Sequence, residues 1–381
     1  MQQAPAAPST ASSCTRRSFL RSGATLAAAL PWLTACKSLD ASHLILVLGW
    51  VPNVEYADLW VALENGYFAQ EKVPVKVWPG GPNAPQPVVE LAARQAHIGE
   101  AEWLPLLDAC LRGNDFVIIG SIFPVHPAAL MSLPRRPIRR PEDLPGCRFL
   151  VQGPSERTAI EAMFKLNHLL PDYQLVPVGF SPEALLNGAG DAYYCFITNQ
   201  PLAFEDMGMR PGVDFIVTRL DQFGYKVPST LLFVERKTLH ARRAELVGFL
   251  KARLRGKAGN QLDPAYAARL SVDKYGADLG LTFRHELRTN QLQLPLYQTP
   301  GSPGPFWIEH DLINNMYSAA TAAGRTNLPD PARLIDMSLL EDAYQSLKIA
   351  RRDARVAYPE TEFFRSLEGD LSVAHSSRVL A

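Results

Sequence analysis

Apolar runs typical of buried strands alternate with segments of helical spacing along most of this chain. Residues 44–50, Leu-Ile-Leu-Val-Leu-Gly-Trp, form a continuous apolar run, as expected for a parallel strand that is covered on both faces. Residues 55–65 follow with apolar side chains at helical spacing and stop at Gly66, a good helix terminator. The pattern recurs at strands 75–78, 116–123, 147–151, 175–178, 192–197, 215–218 and 229–234, with helices such as 86–97, 103–112, 156–170 and 182–187 between them. This alternation predicts an α/β fold of open, mainly parallel sheets flanked by helices.

The length of the chain predicts two such sheets. It has 381 residues, whereas single hydrophobic cores stop growing at roughly 250–300 residues. The region after the last predicted strand is mostly helical, with helices at 241–256, 264–275, 306–323 and 338–350. Asp263-Pro264 and Asp330-Pro331 are typical helix starts, with Asp as the cap and Pro in the first turn. Residues 351–381 have little pattern and are assigned no role.

The first thirty-six residues have the features of an export signal. Residues 15–20, Thr-Arg-Arg-Ser-Phe-Leu, match a twin-arginine signal, and an apolar run of residues 23–35 follows that is too short to span a bilayer. The run ends in Leu-Thr-Ala-Cys, which is similar to a lipoprotein cleavage box and predicts lipid attachment at Cys36. Ordinary cleavage nearby, without lipid, is the alternative. Either way we expect a periplasmic protein, outside the cytoplasm.

Composition and motifs exclude several classes of function. Lys plus Arg and Asp plus Glu number 38 each, so no net charge favours nucleic acid or an anionic membrane surface as partner. The chain has no phosphate-binding glycine motif, no H-E-x-x-H, no G-x-S-x-G and no C-x-x-C. We therefore expect no metal, no cofactor and no catalytic residue. Cys110, Cys147 and Cys195 are the cysteines of the folded body, and at most one disulfide can form.

Side chains at the predicted strand ends are the candidate ligand contacts, because ligands of open α/β sheets bind at the carboxyl ends of the strands. Trp50 can stack on a planar ring, and we expect one of Glu100 and Glu102 to face a cleft, where a carboxylate would accept N–H groups of a heterocycle. Asn53 fits a helix cap and a ligand contact equally well. Arg157 lies in the first turn of a predicted helix with Ser155 as its N-cap, and an anionic ligand therefore remains an alternative. The candidate set is Trp50, Asn53, Gly81, Asn83, Glu102, Phe123, Ser155, Arg157, Thr198, Asn199 and Tyr225.

Several short motifs, in order, resemble a family of binding proteins. They are Trp-Val-Pro-Asn at 50–53, Leu-Trp-Val-Ala at 59–62, Gly-Tyr-Phe at 66–68, Pro-Glu-Asp-Leu-Pro-Gly at 141–146 and Gly-Ala-Gly-Asp-Ala at 188–192. Together they resemble the periplasmic substrate-binding proteins of ABC importers, in the superfamily for nitrate, sulfonates, riboflavin and thiamine pyrimidine precursors, and most closely the thiamine-precursor branch.

The resemblance implies a two-lobed periplasmic-binding-protein fold with two hinge crossings, near Pro127 and Ser229. Lobe 1 would comprise residues 43–127 and 230–350, and lobe 2 residues 128–229. It further implies a monomer that captures a small molecule and delivers it to an ABC permease and ATPase. The enzyme branch of the superfamily has a cysteine-rich motif and a lysine-bound pyridoxal cofactor. Here the corresponding residues, Tyr193 to Phe196, contain one cysteine, so we expect a binding protein and not an enzyme.

Overall fold

Two five-stranded mixed sheets form the framework of the protein. The computed structural model describes residues 42–82 and 84–347. The strands are β1 Leu44–Val47, β2 Val75–Trp78, β3 Ile98–Ala101, β4 Phe116–Phe123, β5 Ala128–Ser132, β6 Cys147–Val151, β7 Tyr173–Pro177, β8 Ala192–Phe196, β9 Ile216–Arg219 and β10 Ser229–Glu235. The first sheet has the order β2-β1-β3-β10-β4 and the second β7-β6-β8-β5-β9. The predicted two-lobed α/β fold with mainly parallel sheets is confirmed.

Each sheet contains one strand that runs against the others, and that strand enters from the opposite lobe. In the first sheet β10 pairs antiparallel with both β3 and β4, and in the second sheet β5 pairs antiparallel with both β8 and β9. The chain therefore passes between the sheets twice, through residues 124–127 after β4 and through residues 220–228 after β9. The two lobes have the same strand order with the visiting strand in the same place.

Helices cover the sheets, and most of the late ones pack on lobe 1. They are α1 Ala57–Glu64, α2 Tyr67–Gln70, α3 Pro87–Ala92, α4 Trp103–Leu111, α5 Pro154–Leu166, α6 Glu183–Leu186, α7 Gln200–Asp206, α8 Arg236–Ala241, α9 Arg243–Leu262, α10 Pro264–Leu270, α11 Phe283–Gln293, α12 His310–Ala322, α13 Pro331–Leu334 and α14 Ser338–Leu347. Asp263 and Asp330 cap α10 and α13 through side-chain oxygens, as predicted. Helix α9 lies so close to α1 that a Cβ at Gly256 would meet the carbonyl oxygen of Asp58.

Strands β3 and β5 and helix α11 are among the elements that were not predicted from the sequence. Strand β3 is short and contains Gly99 and Glu100, and β5 follows directly after Pro127, so neither has the long apolar run used to find strands. Helix α11 is rich in charged and amide side chains and has no broad apolar stripe. The predicted helix at 306–323 begins only at His310, because Phe306 adopts a left-handed backbone conformation with φ of 72°.

Candidate functional site

The candidate site lies where the strand ends of both lobes meet beside the two crossings. The loop between β1 and α1, residues 48–56, carries Trp50 toward lobe 2. Its indole meets the ring of Phe180, in the loop after β7, edge to face at 5.1 Å between centroids. The backbone N–H of Trp50 donates to the hydroxyl of the buried Tyr56 at 2.8 Å. Trp50 is half-buried and reaches across the cleft to lobe 2. The hydrogen bond to Tyr56 fixes the backbone of its loop.

Two carboxylates, Glu102 and Glu55, meet at the start of β10 in this cleft. Glu102 accepts from the Ser229 hydroxyl at 2.7 Å and from the Thr230 backbone N–H at 3.2 Å. Its other oxygen lies 3.5 Å from Nε2 of His126, which belongs to the first crossing. The Thr230 hydroxyl donates to Glu55 at 3.2 Å. One residue at the start of β10, Thr230, therefore bonds both carboxyl groups.

Thr230 is held in a strained backbone conformation. Its φ is 53°, a left-handed value that a β-branched residue rarely adopts. Such conformations cost on the order of 1–3 kcal/mol and persist where the surroundings fix them, often at functional sites. In this conformation the Thr230 backbone N–H donates to Glu102 and the Thr230 hydroxyl donates to Glu55.

The two carboxyl groups differ in their proton affinity. Burial, followed by repulsion from Glu100 and Glu102, raises the pKa of Glu55 to about 8. Burial alone would also raise the pKa of Glu102, but His126, Ser229 and Thr230 bond its ionised form and hold its pKa below the usual value. At neutral pH the cleft therefore offers one carboxylic acid that can donate and one carboxylate that can only accept.

Buried charged side chains lie behind these carboxyl groups, in the interior of lobe 1. Arg253 on α9 is fully buried and pairs with Asp58 and, at 3.4 Å, with Glu100. Lys257, one turn later, is 1% exposed and lies 3.3 Å from the centre of the Tyr297 ring. Burial lowers the pKa of Lys257 to about 7. Of the two glutamates weighed from the sequence, Glu102 is 31% exposed in the cleft, while Glu100 lies deeper and is fully buried.

Lobe 2 contributes the loop after β6, where the predicted N-cap at Ser155 was wrong. Glu156 accepts from the backbone N–H groups of Gln152 and Gly153, so Gly153 is the N-cap of α5. Ser155 is instead an exposed residue of the first turn. Arg157 donates to Glu161 one turn later at 2.8 Å and its side chain is 64% exposed. The helix start is therefore closed by its own carboxylate, and Arg157 is a solvated surface residue.

Three predicted loop residues have structural roles or lie elsewhere. Asn53 is the N-cap of the short helix Val54–Tyr56, because its side-chain oxygen accepts from the Glu55 backbone N–H at 2.9 Å. Gly81 is buried with φ of 124°, and a Cβ there would lie 2.8 Å from Val51. Phe123 is 2% exposed and packs on Tyr297, so it belongs to the interior of lobe 1 and not to the cleft. Asn83 lies outside the described residues.

The remaining predicted residues follow β8 or lie in the second crossing. Asn199, at the N-terminal end of α7, bonds His285 of α11 with 2.9 Å between Oδ1 and Nε2. Its neighbour Thr198 is 6% exposed. Tyr225 in the second crossing is 5% exposed and contacts His126 of the first crossing, with 6.1 Å between ring centroids. Asn199 thus connects the two lobes, and Tyr225 connects the two crossings.

Four residues that line the cleft were not among the candidates from the sequence: Glu55, His126, Thr230 and Phe180. Glu55 was the first residue of a predicted helix, and His126 was not among the candidates. A signal for His126 exists, since it lies between Pro124 and Pro127 in a strand-to-strand connection. The left-handed conformation of Thr230 has no sequence signal.

Metal sites and membrane spans were searched over the described ranges. Residues 42–82 and 84–347 contain no group of three His, Cys, Asp or Glu side chains arranged to hold a metal ion. No helix in these same ranges is both long and apolar enough to cross a bilayer. Cys110, Cys147 and Cys195 are free thiols; Cys147 and Cys195 are buried and Cys110 is half-buried.

Comparisons with known proteins agree with this architecture. A protein of Bordetella bronchiseptica RB50 superposes with a TM-score of 0.60 at 16% identity, covering 81% of this chain and 98% of that one. The periplasmic aliphatic sulphonate binding protein SsuA from Escherichia coli gives 0.56 at 13% identity, covering 76% and 94%. The desulfurization enzyme DszB gives 0.52 at 14% identity, covering 80% and 100%. At these identities the likeness shows the fold alone.

Sequence comparison identifies the family. A search of curated proteins finds no match. A family model described as NMT1/THI5 like matches residues 53–267, more than half of the chain. This chain belongs to the NMT1/THI5-like family.

Proposed function

We propose that this chain is the extracytoplasmic substrate-binding protein of an ABC importer and captures a planar nitrogen heterocycle between its lobes. A thiamine pyrimidine precursor or a riboflavin-like vitamin is the ligand class that fits best. The observation that carries the proposal is the combination of the Trp50 indole with two carboxyl groups, Glu55 and Glu102, in one cleft.

The charge of the cleft favours a ligand that donates hydrogen bonds. Within the described part of the chain, no Lys or Arg side chain forms an ion pair with Glu55, Glu102 or Glu156; their hydrogen-bond partners are hydroxyls, backbone N–H groups and His126. An aminopyrimidine presents an acceptor ring nitrogen beside a donor amino group. A protonated Glu55 and an ionised Glu102 complement that edge, and charge-assisted bonds of this kind contribute roughly 1.5–3 kcal/mol each.

Stacking on aromatic side chains is the second contribution to the affinity. Trp50 and Phe180 come from opposite lobes, so a flat ring stacked on the Trp50 indole beside Phe180 would contact both lobes at once. Stacking adds about 0.5–1.5 kcal/mol beyond burial. With a few polar bonds this reaches about −8 kcal/mol, which corresponds to a micromolar dissociation constant. Closure around the ligand produces the shape that an importer recognises.

A small organic anion such as a sulfonate or nitrate is the second candidate. It is favoured by the structural likeness to SsuA, whose ligand class is sulphonates. Against it stand the acidic cleft and the pairing of Arg157 with Glu161. An enzyme of pyrimidine synthesis is a third candidate. It needs an accessible lysine for its cofactor, whereas Lys257, which lies close enough to lower the pKa of Glu55, is 1% exposed.

The proposal also includes a cellular location and protein partners. The twin-arginine signal and Cys36 lie outside the described residues, so periplasmic location with a lipid anchor rests on the sequence motifs alone. A periplasmic binding protein of this kind acts as a monomer that docks on a membrane permease with its ATPase.

A ligand panel tests the proposal. The purified protein is titrated with 4-amino-5-hydroxymethyl-2-methylpyrimidine, riboflavin, ethanesulfonate and nitrate, and thermal unfolding is followed. A ligand at 100 times its dissociation constant stabilises the fold by about 2.7 kcal/mol, which raises Tm by several degrees. We expect the heterocycles to do this and the anions not to. Stabilisation by ethanesulfonate or nitrate alone contradicts the heterocycle, and a yellow preparation with pyridoxal absorbance contradicts a binding role.

A further inference from the structure

Helix α11 contacts both lobes with two opposite faces. Arg284, His285 and Arg288 lie on one face and meet the start and end of α7 in lobe 2. Glu286, Asn290 and Gln293 lie on the other face and are buried against lobe 1. A helix turns 100° per residue, so these two sets occupy opposite sides. An amphipathic helix usually has one apolar face, whereas this one has two polar faces that are each bonded to a different lobe.

The face toward lobe 2 forms a set of polar contacts across the cleft. Arg288 donates to Glu205 at 2.6 Å with side-chain exposures of 42% and 20%. His285 bonds Asn199 at 2.9 Å. Arg284 lies 3.5 Å from Asp206, and both of these side chains are exposed. Because exposed pairs contribute little, the contacts of Arg288 and His285 are the ones that matter.

The face toward lobe 1 holds the loop that carries Trp50 and Glu55. The carboxylate of Glu286 accepts from the Val54 backbone N–H at 2.9 Å, and the Gln293 amide donates to the Val54 carbonyl at 2.7 Å. Glu286 is 3% exposed and Gln293 is 1% exposed. Asn290 fixes Gln293 at 2.8 Å and is itself paired with Asn260 of α9. Both backbone polar groups of Val54, next to Glu55, are therefore bonded by α11.

We propose that α11 is a clasp: Glu286 and Gln293 position the ligand loop, and Arg288 and His285 couple that position to the contact of lobe 2 with lobe 1. Opening the lobes breaks the contacts of α11 with α7 and loosens the loop through the same rigid helix. Closure of the lobes and ordering of the ligand loop then occur together. The clasp deepens the proposed function, since it regulates access to the same cleft, but its geometry does not depend on which ligand binds.

A charge-swap cycle tests the clasp without any ligand. Arg288→Glu, Glu205→Arg and the double variant are compared by small-angle scattering and by hydrogen exchange of the peptide that contains residues 48–56. We expect each single variant to expand the protein and to speed exchange of the loop about fivefold, the effect of a contact of moderate strength. The double variant should restore both readouts toward wild type.

Two further variants separate coupling from simple loss of stability. Arg243→Glu breaks an ion pair with Asp342 at 2.7 Å that lies within lobe 1, and the arginine of that pair is about as exposed as Arg288, so this variant should leave loop exchange unchanged. Glu286→Ala should speed loop exchange, and Glu286→Gln, which keeps an acceptor for the Val54 N–H, should restore it in part.

Several outcomes overturn the clasp. It fails if Arg288→Glu leaves loop exchange unchanged, if the double variant does not restore the single ones, or if Arg243→Glu has the same effect. Affinity for 4-amino-5-hydroxymethyl-2-methylpyrimidine is measured on the same variants. If that probe does not bind to wild type but the swap cycle behaves as expected, the ligand proposal fails and the clasp stands.

Discussion

Single residues decide what this cleft can recognise. Glu102 keeps its charge because His126, Ser229 and Thr230 bond it, while Glu55 holds its proton because burial and neighbouring carboxylates disfavour its ionised form. The sequence analysis had a glutamate at the end of a strand, Glu102, among its candidates. It did not reveal that Glu55 joins it, because their meeting point, Thr230, is 128 residues from Glu102 along the chain.

Replacing Glu102 tests its role as an acceptor. Glu102→Gln should weaken binding of 4-amino-5-hydroxymethyl-2-methylpyrimidine about 10- to 100-fold in calorimetric titration, because a charge-assisted hydrogen bond of roughly 1.5–3 kcal/mol is lost. Glu161→Gln is the matched control, since Glu161 lies on the outside of lobe 2 with Arg157 as its partner. Equal affinities of Glu102→Gln and wild type would remove Glu102 from the site.

At the scale of elements, close packing of helices positions the cleft wall from behind. Helix α9 brings Arg253 and Lys257 under β3 and α1, and Gly256 between them permits the approach. The sequence indicated α1, most strands and the capped helices, because apolar periodicity and Asp-Pro starts are local signals. It did not indicate α11, since the polar side chains of α11 are explained only by partners in α7 and at Val54.

A methyl group at Gly256 should disrupt this packing. An added Cβ would lie 1.9 Å from the carbonyl oxygen of Asp58, an atom of the α1 backbone that cannot rotate away. We expect Gly256→Ala to lower the free energy of unfolding by at least about 3 kcal/mol in urea titration, even though Ala favours helices more than Gly. Ala258→Ser, at an exposed position two residues later, should stay within about 0.5 kcal/mol. A stable Gly256→Ala protein would mean that α1 and α9 are farther apart.

For the whole molecule, the buried carboxyl groups make stability depend on pH. The pKa of Glu55 is raised to about 8, and those of Glu100 and Glu156 to about 7, in each case first by burial. Between pH 5 and 7 the unfolded chain has already released these protons while the folded protein retains them. The folded state binds more protons in that window, so these groups make stability fall as pH rises.

Glu55→Gln isolates this effect. The variant cannot ionise at that position, so its stability relative to wild type should increase from pH 5 to pH 8, by about 2 kcal/mol, since one pKa unit corresponds to about 1.4 kcal/mol and the side chain is partly open to the cleft. Urea unfolding at several pH values measures the difference. Glu183→Gln, at an exposed position in α6, should show no such trend, and a parallel pH profile for Glu55→Gln and wild type would contradict the raised pKa.

Local patterns in the sequence determined the α/β class and the caps at Asp263 and Asp330, because apolar periodicity and capping act over a few residues, and the chain length predicted the two sheets. Tertiary structure alone decided which polar side chains share the cleft. Thr230 bonds Glu55 and Glu102, and Phe123 packs on Tyr297 inside lobe 1. Whether a side chain is buried, paired or open depends on chain segments that folding brings together from more than a hundred residues away, and no local pattern encodes that distance.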